Sequence, residues 1–268
     1  MIDSPYAVKP GSKVKLKSIK PDDRGQFDEK SEGRVETEKN VKRLGELQEV
    51  LYAQSEHAVL VVLQGMDTAG KDGAIEHVFE AVNPQGCQVT SFKVPSSLEK
   101  SHDYLWRIHN AVPERGMIGI FNRSHYESVL VERVKDLVPK SVWSKRYEQI
   151  NEFEQMLGDE GITVLKFFLH ISREEQAKRL QARIDDPTKR WKFNPADLAE
   201  RARWDHYTEA YEDALEKCST DYAPWIIVPA DRKWFRNWVI SETIVRAMEG
   251  LKLEYPPAVE GIEKLKVE

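Results

Sequence analysis

Residues 65–73 read GMDTAGKDG, and Gly65, Gly70 and Lys71 fall at the spacing G-x-x-x-x-G-K. That spacing suits a loop that wraps phosphate, because glycines let consecutive backbone N–H groups curl around an anion. The N–H groups of Gly65, Ala69, Gly70, Lys71, Asp72 and Gly73 are the candidate phosphate ligands, and Lys71 adds a mobile ammonium. One position departs from the pattern: Asp72 stands where nucleotide hydrolases carry Ser or Thr. A carboxylate there suits Mg²⁺, with Mn²⁺ as the alternative, and the metal must bridge it to phosphate. A chance glycine turn is the competing reading. The flanking residues oppose it, since a β-rich run precedes the loop and a helical run follows it.

Two further charged segments lie where strands should end. The first is Asn122-Arg123-Ser124-His125-Tyr126-Glu127, directly after the apolar MIGIF. In phosphate-loop enzymes the equivalent position carries a carboxylate for Mg²⁺ or its waters. Here Asn122 is a neutral oxygen donor, and Glu127, about one helical turn on, restores the charge. The candidate metal ligands by position are therefore Asp72, Asn122 and Glu127. Arg123 is placed to clamp a phosphoryl group through two N–H donors, against a surface ion pair as the plainer reading. The second segment is DDPTKRWKF at 185–193, with Arg183 just before it. Lys189, Arg190 and Lys192 surround Trp191, a pattern shared by nucleic-acid contacts, solvated turns and phosphate-covering lids. Its place after a strand-helix unit favours the lid, which would keep water from competing with the acceptor. His102, His109 and His125 lack metal spacing and read as hydrogen-bonded helix residues. Trp204, Tyr207 and Tyr211 follow a helical period and read as core.

These segments need a scaffold that brings strand ends together. Short apolar runs at Val59–Leu63, Gln88–Phe92, Met117–Phe121, Ile162–His170 and Pro224–Val228 read as strands. Helical periods fill Arg34–Ala53, Ala74–Ala81, Trp143–Leu157 and Lys233–Met248. Ser96 to Glu99 and Ser172 to Glu175 resemble capping boxes opening helices to about His109 and Ile184, and Asn194-Pro195 opens another. Strand alternating with helix predicts an α/β fold, a parallel sheet covered on both faces, with ligands beyond the carboxyl ends of the strands. Residues 1–31 carry Pro5, Pro10 and Pro21 without periodicity and read as an extended arm, its Lys13, Lys15 and Lys17 solvated.

Composition narrows the function. The 268 residues carry a formal charge of -5 with 40% hydrophobic and 32% charged side chains, ordinary for a soluble domain. A net negative chain does not hold nucleic acid by bulk charge, so a polyanion site must be a local cluster of cations. Cys87 and Cys218 give neither disulfide framework nor metal spacing. No signal peptide or membrane-length apolar run is visible, so the cytoplasm is the expected compartment.

Taken together, GMDTAGKDG, SFKVPS, SHDYLWRIH, FNRSHYESVLVERV, FLHIS, EEQAKRLQAR, DDPTKRWKF, WDHYTEAYEDAL and APWIIVPADRKWFRNWVI resemble, in order, the polyphosphate kinase 2 family. The resemblance implies a phosphate-loop kinase core like that of thymidylate kinase with a helical lid. The expected division is an arm at 1–33, a kinase domain at 34–255 with its lid at about 183–205, and a tail at 256–268. It implies inorganic polyphosphate as donor, adenine nucleotides (guanine as a second class) as acceptors, Mg²⁺, and a homo-oligomer, often a tetramer. The family's loop residues map onto Asp67, Lys71, Asp72 and Arg123, which implies Asp67 as a fourth metal ligand beside Asp72, Asn122 and Glu127, and its cationic channel maps onto Arg107, Arg183, Lys189 and Lys192. The Asn122 and Glu127 pair is similar to class III members, which use both AMP and ADP. An ATP-dependent nucleoside monophosphate kinase and a non-catalytic nucleotide or polyphosphate sensor are the alternatives.

Overall fold

A computed structural model describes residues 4–267. Five strands form one parallel sheet in the order β2-β3-β1-β4-β5. They are β1 (Ala58–Gly65), β2 (Cys87–Ser91), β3 (Ile118–Asn122), β4 (Ile162–His170) and β5 (Trp225–Pro229). β1 is buried at all eight positions because β3 and β4 pair with its two edges and helices cover the sheet. A strand so enclosed must be continuously apolar, which explains why AVLVVLQG lacks alternation. β1 and β3 are neighbours, with Leu63 opposite Asn122. That register sets the loop after β1 beside the loop after β3.

Eleven helices complete the described fold. The long ones are α1 (Lys30–Gln54), α7 (Arg146–Asp159), α8 (Arg173–Asp185), α10 (Trp204–Lys217) and α11 (Lys233–Gly250), with α2 (Lys71–Val78) and α9 (Ala196–Ala202) shorter. Four single-turn helices, α3 (Ser97–Lys100), α4 (Trp106–His109), α5 (Val131–Val134) and α6 (Lys140–Trp143), punctuate the connections. α1 packs on α11, and both give fully buried residues to the core, Leu44 and Leu51 from one and Ile240, Ile244 and Met248 from the other. α7 lies against β4 and α10 against α7.

Three helix expectations change, and so does the arm. The helix expected from Ser96 to His109 is two turns, because Asp103 Oδ1 accepts the Leu105 N–H at 2.9 Å and diverts the backbone between them. The helix expected from Trp143 is likewise interrupted, α7 starting at Arg146. At α8, Ser172 caps the Glu175 N–H at 3.1 Å, but the Glu175 side chain turns forward to Arg179 at 2.9 Å instead of back to the cap. The arm is less detached than its composition suggests. Val8, Val14, Leu16 and Phe27 are buried, and Ala7 bridges antiparallel to Ile226 on β5. Lys13, Lys15 and Lys17 remain exposed between those apolar anchors. Among the described residues, no helix is long and apolar enough to cross a membrane.

Candidate functional site

The loop between β1 and α2 turns on Gly70, which precedes α2 with φ +103°. Only glycine holds that backbone without strain. The first N–H groups of α2 have no carbonyl behind them, so they and the helix dipole favour an anion at this end. Lys71 is buried, and its Nζ donates to Gly65 O at 2.8 Å and Met66 O at 3.4 Å. Burial, followed by the repulsion of Arg123, pushes its pKa down to about 8. A Gly70→Ala chain is expected to be less stable by about 1–2 kcal/mol from the left-handed backbone alone, and a thermal melt against wild type checks it.

The second loop answers the first. Arg123 occupies the left-handed region at φ +64°, with its N–H on Leu63 O at 3.1 Å. A non-glycine residue there is held by its surroundings, a recurrent property of working sites. Its guanidinium bridges Asp67 Oδ1 at 2.6 Å and Glu127 Oε2 at 3.0 Å. Those carboxylates, Glu127 foremost, raise the arginine pKa further. Beside this triad, Asn122 Nδ2 donates to Asp72 Oδ1 at 2.6 Å. Asp67, Lys71, Asp72, Asn122, Arg123 and Glu127 thus come from two loops into one cluster at the carboxyl ends of β1 and β3.

Among the described residues, no three His, Cys, Asp or Glu side chains are gathered as a metal cage. The four expected ligands therefore stand as two pairs, one tied through Arg123 and one through an amide. Mg²⁺ does not need a cage, since it characteristically takes one or two carboxylates with waters and substrate phosphates. Glu127 Oε1 is buried without a hydrogen-bond partner, an oxygen left available to such a ligand set. The donors present fit the ion.

The other expected cations are placed differently. Arg107 donates to Lys93 O at 2.8 Å and lies 5.3 Å from the Phe92 ring, past the end of β2. Arg183 donates to Lys192 O at 3.2 Å, Lys189 pairs with Asp186 at 2.7 Å, and Lys192 sits over Trp191 at 5.0 Å. Their partners lie within residues 183–205. Arg201 ties that segment toward the cluster, donating to Gln176 Oε1 at 2.8 Å, while Gln176 Nε2 donates to Asp67 O at 3.0 Å.

Sequence reading missed what stands behind the loops. Arg179 donates to the carbonyls of Thr68 at 3.0 Å and Ala69 at 3.1 Å, and to Ala230 and Asp231 at 2.7 and 3.0 Å. It ties the phosphate loop to the end of β5. Under the second loop, fully buried Lys166 of β4 donates to Glu154 at 2.5 Å, Tyr126 Oη at 2.9 Å and Cys218 O at 2.6 Å. Tyr126 Oη also donates to Glu154 at 2.8 Å, and His125 Nε2 lies 3.1 Å from the same carboxylate. Burial works to raise Glu154, yet Lys166 and His125 hold it below the usual carboxylate range. His125 is therefore part of a buried network in the second loop. Of the expected core aromatics Tyr207 and Tyr211 are buried, Tyr211 with its phenol pushed well up by burial and then by Glu127.

The family model for Polyphosphate kinase 2 (PPK2) matches residues 27–256. A relative from Meiothermus ruber, named AMP/ADP-polyphosphate phosphotransferase, is 53% identical over 264 residues, 98% of this chain and 99% of that protein. One from Rhodopseudomonas palustris, an ADP-polyphosphate phosphotransferase, is 51% identical over 228 residues, 81% of this chain and 79% of that protein. The crystal structure of polyphosphate kinase 2 from Arthrobacter aurescens superposes with a TM-score of 0.94 at 43% identity, covering 98% of this chain and 95% of that one.

Proposed function

Because this chain belongs to the polyphosphate kinase 2 family, we propose that it moves the terminal phosphoryl group of inorganic polyphosphate onto AMP and ADP, at the paired loops. The observation that carries the site assignment is the convergence of Lys71 with the Asp67–Arg123–Glu127 triad at adjacent strand ends. An acceptor phosphate oxygen attacks the terminal phosphorus of the chain. The anhydride bond behind that phosphorus breaks, and the polyphosphate leaves one unit shorter. Such a transfer asks the protein for positioning and charge neutralisation rather than covalent chemistry.

The N–H groups of Gly70 to Gly73 receive the terminal phosphate, and Lys71 leaves the loop carbonyls to follow it. Arg123 exchanges its carboxylate partners for phosphoryl oxygens, since ligand and carboxylates compete for the same donors. Asp67 and Asp72, with Asn122 and Glu127 on the acceptor side, would hold Mg²⁺ or Mn²⁺. Bound there, the ion neutralises the oxygens of donor and acceptor. Arg107, Arg183, Lys189 and Lys192 guide the rest of the polyanion, the lid cations after release from their internal partners. A homo-oligomer, tetrameric by resemblance, and guanine nucleotides as second acceptors belong to the same proposal.

The deciding experiment is nucleotide-resolved product analysis after mixing polyphosphate and Mg²⁺ with AMP, ADP or GDP in the absence of ATP. ADP and ATP are expected from AMP. No phosphorylated product would favour a sensor, and activity only after ATP addition would favour a monophosphate kinase. Glu127→Asn is expected to impair one acceptor by about tenfold, as the loss of one charge-assisted contact would do. Equal losses with AMP and ADP would remove Glu127 from the acceptor side.

A further inference from the structure

Gly70 has a second peculiarity. The space a side chain would take from its Cα is filled by the guanidinium of Arg236, and Arg179 Nη1 lies 3.7 Å from the same point. Arg236 Nη2 also comes within 3.5 Å of where a Gly73 Cβ would stand. Two arginines thus press on the anion loop from α8 and α11, but their surroundings differ. Arg179 is saturated by Glu175 and four carbonyls. Arg236 is 2% exposed, and its side-chain hydrogen bonds among the described residues go to its neighbour's amide, Nε and Nη2 donating to Asn237 Oδ1 at 3.0 and 2.7 Å.

Among the described residues, no carboxylate forms an ion pair with Arg236. Asp231, just ahead of α11, is engaged by the Ser172 N–H at 2.8 Å. Burying a charge without a counter-charge works against folding. Burial, and then the charge of Arg179, lower the pKa of this guanidinium to about 10. A purely structural arginine at this depth would ordinarily have an acidic partner. Here the compensating negative charge must come with the ligand.

We propose that Arg236 is a positioning residue for the donor, fixing the rim of the phosphate loop through Gly70 and Gly73 and holding a positive charge behind it that bound polyphosphate neutralises. The proposal rests on the polyphosphate reading above and assigns the arginine to the donor rather than the acceptor. Asn237 shares the role by aiming the guanidinium.

The test uses the full chain with Arg236→Gln, Arg236→Lys and Asn237→Ala, and reads tripolyphosphate binding by calorimetry without acceptor, then donor and acceptor KM separately. Arg236→Gln is expected to weaken tripolyphosphate binding about tenfold or more and to raise the donor KM, leaving the AMP KM unchanged. Arg236→Lys should recover part of the binding, since it restores charge without the fork. Asn237→Ala should show a smaller loss in the same direction. Wild-type tripolyphosphate binding in Arg236→Gln, or equal shifts in donor and acceptor KM, would overturn the proposal. If Arg236→Gln does not fold, unchanged tripolyphosphate binding in Asn237→Ala overturns it instead. Failure of the wild-type chain to transfer from polyphosphate at all would sink the underlying functional reading, a result distinct from any of these.

Discussion

Lys71→Ala is expected to lower phosphotransfer turnover by about a thousandfold or more, because each ~1.4 kcal/mol of transition-state stabilisation is worth about tenfold. The side chain is buried against two loop carbonyls, so its ammonium is already desolvated and close to where charge develops. In such a site a cation acts far more strongly than it would in water. Truncation leaves the loop's backbone in place, since Gly70 and the first turn of α2 do not depend on the lysine for their hydrogen bonds. The loss should therefore fall on kcat, with the thermal midpoint little changed. Single-turnover assays on saturating polyphosphate and AMP read it directly, and a variant keeping most of its rate would remove this loop from the mechanism.

Lys166→Met is expected to destabilise the fold by about 3–5 kcal/mol, the range for breaking one partner out of a buried ion pair. Both Lys166 and Glu154 are inaccessible to solvent, so the deserted carboxylate has no water to turn to. The carbonyl of Cys218 and the phenol of Tyr126 lose their donor at the same time. Against a total stability of about 5–15 kcal/mol for a typical protein, that loss is large. Denaturant unfolding measures it. The double variant Lys166→Met with Glu154→Gln should recover part of the loss, because the uncompensated charge is then gone. Activity should fall as well, since Tyr126 and His125 continue the segment that holds Arg123 in its left-handed turn.

The strands, their parallel arrangement and the two central loops were legible because each depends on local residues. A continuous apolar run, a glycine at a positive φ and a charged loop after a strand are written in neighbouring positions. The split between α3 and α4 was not legible, because a side chain–backbone bond from Asp103 competes with the helix and periodicity does not register it. Arg179 and Arg236 were invisible for another reason. Nothing in EEQAKRLQAR or RKWFRNW tells which arginine will meet a loop more than a hundred residues earlier. Lys166 did leave a trace. It is the single charge within ITVLKFFLH, and a lone lysine in a strand enclosed on both faces requires a buried partner. Arg183, Lys189 and Lys192 stand out in the sequence by type and position, but the pairing of Lys189 with Asp186 and of Arg183 with the Lys192 carbonyl depends on how the loop closes on itself.

The bridge between Ala7 and Ile226 has a consequence for how copies of this chain meet. Backbone bonds from Val8 to Trp225 at 2.8 Å and from Ile227 to Tyr6 at 2.9 Å occupy the outer margin of β5 with the chain's own leading segment. A margin already occupied cannot template another molecule, whereas β2 lies at the other end of the sheet and pairs there with β3 alone among the described strands. A shortened chain lacking the leading segment would leave the outer margin of β5 unpaired as well, giving two edges open to strand addition in place of one.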